Sequence, residues 1–213
     1  MSSDESIQDD AANNSRITVS VADTELWELV DAAGNEMILT QNGRNLFPKI
    51  NLKIANLNPN ENYKVALSFE RVDNFRYTFN AGRMEPCGRG EPEQPSEKIF
   101  YPEAINSGAH LMQNGVKFDK IKVSHSVSDP SIPCVKLHRM HKYHAVAHVY
   151  RIEGYNPVLA AHNQDVGTLV ASAVIPHTTF VTVGAYQSAA IITLKVKYGG
   201  YARGFRHLEM VQN

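Results

Sequence analysis

The chain is poor in cysteine, has one tryptophan and contains no long apolar run. Cys87 and Cys134 are the only cysteines in 213 residues. Two isolated cysteines make neither a disulfide framework nor the paired spacing of a zinc finger, and a reducing compartment is the simplest setting for them. No apolar stretch approaches the roughly 20 residues that cross a bilayer. The N-terminus is acidic and polar and does not read as a secretory signal. The common catalytic motifs are missing as well. There is no P-loop and no Gly-x-Ser-x-Gly elbow, and Gly88-Arg89-Gly90 runs into a Pro/Glu-rich loop instead of opening a helix. Neither cysteine is marked as an activated nucleophile.

A global basic field is also absent. The net charge is −1, which by itself argues against a nucleic-acid partner. The distribution is uneven. Asp4, Glu5, Asp9, Asp10 and Asp23 stand in the first 23 residues with Arg16 as the sole base. Of the 21 bases and 22 acids, 20 and 17 then remain for residues 24–213. Any affinity for a polyanion has to come from a local patch. One region lacks acid altogether: Val166 to His207 has no Asp or Glu.

What is present reads as a globular β-protein. Hydrophobic residues make up 43% and charged residues 20% of the chain, ordinary values for a packed domain. Residues 1–22 are polar and acidic and are assigned to a disordered tail; residues 23–210 form the domain. Short β-rich segments recur at Lys49–Ile54, Tyr63–Phe69, Arg76–Phe79, Val116–Val123, Ala145–Ile152 and Thr179–Val183. Turn-prone pieces such as Asn42-Gly43, Asn58-Pro59 and Asp129-Pro130 separate them. This spacing points to a sandwich or barrel, with helix expected only towards the C-terminus. Within Ala190–Tyr198 the signals conflict. Ile192, Leu194, Val196 and Tyr198 alternate with polar residues like a strand, whereas Ser188 followed by two alanines is a fair helix start.

Three constellations carry chemistry. His138, His141, His144 and His148 have spacings of three and four, as zinc ligands on a helix would. The surrounding residues are β-rich and no glutamate sits between two of the histidines, so strand and surface histidines are the simpler reading. Asn42-Gly43-Arg44 sets an arginine on a tight turn beside the apolar Leu46-Phe47. An arginine held this way can grip both acceptors of a guanine in the major groove, or be an ordinary loop residue. Tyr198-Gly199-Gly200-Tyr201-Ala202-Arg203-Gly204-Phe205-Arg206 interleaves rings and bases at the end of the acid-free region. It suits either a wedge into a nucleic acid or a helix docking its rings on the core.

Taken in order, the motifs from about Leu26 to Glu209 resemble the T-box DNA-binding domain, the family of Brachyury. Leu26-Trp27 resembles the family's opening pair. Glu36-Met37-Ile38 with Thr40 to Pro48 resembles its Glu-Met-Ile-x-Thr-Lys-x-Gly-Arg-Arg-Met-Phe-Pro signature. Further matches are Asn56-Leu57-Asn58-Pro59 with Tyr63, Asp73 to Tyr77, Tyr101-Pro102, Ser107 to Met112, Val116 to Val123, and Met140-His141-Lys142-Tyr143. Phe180 to Ser188, Ile192-Thr193-Leu194-Lys195 and Tyr201 to Arg206 complete the series.

The resemblance implies an immunoglobulin-like, p53-like β-sandwich or barrel with short C-terminal helices, one of them starting after Ser188. It implies a nuclear, non-enzymatic transcription factor, without cofactor or membrane partner, of the kind that regulates development. It implies binding of double-stranded DNA carrying a T-site with a GGTGT-type core. It leaves room for a homodimer on DNA and for co-regulator proteins. Arg44 falls on the family's guanine-reading arginine, and Tyr201 and Phe205 on its minor-groove aromatics. Lys195, Lys197, Arg203 and Arg206 are the expected phosphate anchors, and Tyr186 and Ser188 complete the DNA-binding set.

The chain also departs from the pattern. Gln41 and Asn45 stand for a lysine and an arginine, and Ala145-Val146 for Pro-Arg. Leu111 stands for Trp, Gly184 for Thr, Ser188 for Asn, Gly199-Gly200 for Asn-Pro and Tyr201 for Phe. Each lost phosphate contact lowers affinity and its salt dependence. A divergent domain with weaker or altered site preference is expected, or else a T-box-fold interaction module that has lost DNA.

Overall fold

The computed structural model describes residues 16–100, 105–126, 134–154 and 167–199. The centre of the fold is a pair of long antiparallel strands, β5 (Asn62–Arg71) and β12 (Lys142–Ile152). They stay in register from Asn62 opposite Ile152 to Arg71 opposite Tyr143. The short β8 (Asn106–Ser107) extends the β5 side. On the other edge of β12 the chain divides. β13 (Thr168–Val174) covers Val146–Arg151, and β14 (Phe180–Val183) covers Lys142 and Tyr143. Between them the chain crosses at Ile175–Thr178. The Ile175 N–H donates to the Ala145 carbonyl, and the Ala145 N–H donates to the Thr178 hydroxyl. A side chain there replaces the missing ladder bond, as a buried amide requires. β2 (Glu36–Ile38) closes the sheet, parallel to β14.

Two smaller sheets form the other layer. β1 (Thr18–Val21), β4 (Asn51–Ala55) and β9 (Val116–Lys117) make one; β3 (Arg44–Asn45), β10 (Lys122–Ser124) and β11 (Cys134–Lys136) make the other. Leu52, Ile54, Phe118, Ile121 and Val123 from this side share one apolar core with Val65, Leu67, Phe69, Ala147 and Val149 of the main sheet. The alternating inward positions of both layers thus fill one interior, the arrangement of a β-sandwich. The hairpin of β6 (Phe75–Asn80) and β7 (Arg83–Arg89) projects from it.

Several sequence expectations change here. β1 lies within the segment assigned to the acidic tail. Its Val19 and Val21 alternate with Thr18 and Ser20, Val21 is buried, and the strand pairs along β4, so the ordered fold begins before residue 23. Residues 1–15 lie outside the described residues. Helix is not confined to the C-terminus. α1 (Thr24–Ala32) buries Trp27 and Val30, three residues apart on one face, and α2 (Gly108–Asn114) is capped by the Ser107 hydroxyl and buries Leu111. Val116–Val123 is two strands, not one. The buried residues Val116, Phe118, Ile121 and Val123 are spaced two, three and two apart, and a turn at Asp119-Lys120 takes up the extra residue.

The contested segment is helical: α3 spans Ala189–Tyr198. The Ser188 hydroxyl accepts from the Ile191 N–H, and Lys195 and Lys197 sit in the last turn, where cations favour the helix dipole. The strand-like alternation did not report burial. Ile192 and Tyr198 are each 45% exposed, and the fully buried residue of α3 is Ile191, which is out of phase with them.

Candidate nucleic-acid interface

Arg44 projects from a rigid base. Gly43 has φ 73°, a conformation costly for residues with a Cβ, and a Cβ there would stand 2.9 Å from the Cys134 sulfur and 3.2 Å from Lys122 Cβ. Val123 pairs with Arg44 across the β3–β10 ladder, while the buried Leu46 and Ile50 anchor the chain as it leaves β3. The Arg44 side chain itself is exposed and enters no ion pair among the described residues.

α3 packs its last turns beside this turn. The Lys195 ammonium donates a 2.7 Å hydrogen bond to the Tyr186 hydroxyl and lies 4.8 Å from the Tyr186 ring centroid and 5.6 Å from that of Phe47. Burial, and secondarily the Arg44 guanidinium, lower the Lys195 amine to about 8. Burial raises the Tyr186 hydroxyl to about 12; Arg44 pulls it down and Glu36 pushes it up. Lys195 is therefore a half-desolvated cation held between two rings, with a charge that responds to its surroundings.

The other end of α3 is tied to β2. Glu36 is 1% exposed, and its carboxylate accepts from the Gln187 N–H at 2.7 Å and the Ser188 N–H at 3.2 Å. Burial raises its carboxyl above the usual range, against the downward pull of those two N–H groups. This carboxylate fills the anion-attracting end of the helix, so a phosphate would meet a like charge there. The Ser188 hydroxyl is also engaged inside the fold, at the α3 cap and against the Ala33 carbonyl.

Between the Arg44 turn and the end of α3 lies an open cleft of about 570 Å³. Arg44, Lys49, Lys122 and Lys195 line it against one acid, Asp23; Phe47 and Tyr198 add rings. Lys197 is exposed on the same last turn, its ammonium 5.0 Å from the Tyr198 ring centroid. The fold thus brings Arg44, Tyr186, Lys195 and the end of α3 together. Lys49, Lys122 and the capping role of Glu36 were missed, because nothing local distinguishes two ordinary surface lysines or a buried acid. Tyr201, Arg203, Phe205 and Arg206 lie outside the described residues.

The four histidines do not converge on one point, although the rings of His138 and His141 lie 5.7 Å apart. His148 bridges Ser68 (2.8 Å) and Ser172 (3.1 Å) across the main sheet. His141 is buried against the Glu91 carboxylate (2.7 Å), and His138 meets Arg71 (2.7 Å). Among the described residues no three His, Cys, Asp or Glu side chains gather as metal ligands would.

Comparison with known proteins adds a family. The T-box family model matches residues 19–207. The chain is 32% identical over 194 residues to the T-box transcription factor tbx-9 of Caenorhabditis elegans, covering 90% of this chain and 66% of that protein. It is 34% identical over 190 residues to tbx-8 of the same organism, covering 89% and 60%. It is 33% identical over 189 residues to the T-box transcription factor T of Xenopus laevis, covering 89% and 41%. The chain spans between 41% and 66% of the length of these relatives.

Proposed function

The chain belongs to the T-box family, and from that premise we propose that it is a nuclear transcription factor that binds duplex DNA through the Arg44–α3 cleft. The observation that carries the reading is this cleft. Four bases without ion-pair partners among the described residues surround one acid, and one of the four is the Arg44 guanidinium on its rigid turn. Such a patch supplies the local field that a chain of net charge −1 otherwise lacks.

The roles divide by chemistry. Arg44 reads a guanine in the major groove of a T-site with a GGTGT-type core, since a guanidinium can donate to O6 and N7 together. Lys195, Lys197, Lys49 and Lys122 contact phosphate and set register without reading sequence. Tyr201 and Phe205 enter the minor groove, with Arg203 and Arg206 beside them. Tyr186, Ser188 and Glu36 orient α3. Gln41 and Asn45 remove two positive charges relative to the signature, which lowers the salt slope by roughly 0.9 for each lost phosphate contact. Pairing of two copies on DNA and recruitment of co-regulators belong to the same proposal.

Selection from a random duplex pool tests the reading, with Arg44→Ala and Lys197→Ala as paired variants. The expected outcome is a T-site-like consensus. Arg44→Ala loses preference at one guanine, while Lys197→Ala weakens all sequences alike. Equal loss on selected and scrambled duplexes for Arg44→Ala would sink its assignment. No binding to any duplex at low salt would replace the reading with a protein-interaction module.

A further inference from the structure

The basic cleft gathers four bases around a single acid. Some arginines of the fold pair with acids: Arg76 with Glu91, Arg83 with Glu85, and Arg151 with Glu61 and Glu153. Arg44, Lys49, Lys122 and Lys195 have no ion pair among the described residues, although they converge on one space with Asp23 as the sole acid. The same chain has acid to spare at its start. Asp4, Glu5, Asp9 and Asp10 fall within residues 1–15, which contain no lysine or arginine.

The geometry of the chain connects the two. The Asn56 side chain donates to the Arg16 carbonyl, so the described chain begins beside the end of β4. Asn51, at the other end of β4, lines the cleft. That separation is about 17 Å at about 3.4 Å per residue. Asp10 stands six residues and Asp4 twelve residues before Arg16, about 20 Å and about 40 Å of extended chain, so the four acids span the distance to the cleft. A tethered segment meets its site at an effective concentration in the millimolar range, enough for a weak four-charge contact to form.

We propose that the acidic segment of residues 1–15 occupies the Arg44–Lys195 cleft in the absence of DNA and competes with DNA for it. The proposal rests on the DNA reading of the cleft. The contact is electrostatic and carries no sequence preference. It weakens specific and scrambled duplexes alike, and because salt loosens the competitor as well, it makes the salt dependence of DNA binding shallower. A duplex displaces it by offering more phosphates, in better geometry, than four carboxylates.

The test uses the full chain and the variant D4N/E5Q/D9N/D10N. In DNA-free protein at low salt, the NMR signals of Arg44 Nε and the Lys195 side chain are compared between the two. Shifts centred on the cleft are expected, and identical spectra would overturn the contact. Anisotropy titrations with a labelled random duplex follow on the same proteins. The variant is expected to bind about tenfold more tightly at low salt, with the difference vanishing as salt rises, as for an internal competitor that holds about nine-tenths of the free protein. Equal affinities would overturn the competition. Absence of binding by both proteins, with the NMR shifts present, would remove the DNA reading and the competition together while the intramolecular contact stands.

Discussion

If Lys195 faces phosphate as proposed, DNA affinity is expected to depend on pH. In the free protein its amine is lowered from 10.5 to about 8, first by burial and then by Arg44. A phosphate placed near it favours the charged form and returns the amine towards its ordinary range. Binding then draws a proton onto Lys195, and affinity falls as pH rises above 8. With the free value at about 8 and the bound value above 10, the affinity ratio between pH 7 and pH 9 is about tenfold. Neighbouring groups do not mimic the effect. Tyr186 is raised to about 12 and stays neutral at pH 9. His138, His141 and His148 are held below the usual imidazole range by burial and are already neutral in this window. The assay is an anisotropy titration at constant ionic strength for the wild type and Lys195→Arg. The arginine keeps its charge, so its profile is expected to be flat. A wild-type change under twofold, or the same slope in Lys195→Arg, would refute the placement of Lys195 against phosphate. Folding has the opposite sign. The lowered amine means that the unfolded chain binds more protons between about pH 8 and 10.5, so the free protein gains stability as pH rises through that window.

Other substitutions probe how the cleft is held. Glu36→Gln replaces one of the two oxygens that accept from the Gln187 and Ser188 N–H groups by an NH2 that cannot accept, and a loss of about 1–2 kcal/mol in urea unfolding is expected, with DNA affinity falling further than stability explains; unchanged affinity and stability would exclude the capping role. Gly43→Ala introduces a Cβ at φ 73° against Cys134 and Lys122. It is expected to destabilise by about 1 kcal/mol or more and to blur the guanine preference of Arg44; a selected consensus identical to wild type would show that the turn does not aim Arg44. Ile191→Ala empties the fully buried position of α3 and is expected to cost about 2–4 kcal/mol in the same unfolding assay. Loss below about 1 kcal/mol would mean that Glu36 and Ser188 alone seat the helix.

How much of the molecule could be read in advance depended on the range of the interactions. β4, β5, β6, β12 and β14 were legible because burial on a strand repeats every two residues and turn residues bound each run. β1 and α1 were missed for a related reason. Four residues next to an acidic tail look like tail until β4 supplies a partner, and nine residues with Trp27 and Val30 as the buried face leave too short a period to recognise. In α3 the local pattern was misleading. The alternation of Ile192, Leu194, Val196 and Tyr198 suggests a strand, and only the ordered resemblance to a family placed a helix there.

The sequence by itself determined the β-rich class, the acid-free C-terminal region, the glycine-held turn that presents Arg44, and membership of the family. Each of these is written in neighbouring residues or in the order of motifs along the chain. The tertiary structure alone decided that Lys49, Lys122 and Lys195 join Arg44 in one cleft, that Lys195 loses part of its solvation between Phe47 and Tyr186, and that Glu36 rather than a phosphate fills the start of α3. These features depend on groups up to about 150 residues apart in the chain, as in the bond from Ser188 to Glu36. Charge, burial and hydrogen bonding act through space, so their outcome exists only once the two layers have packed.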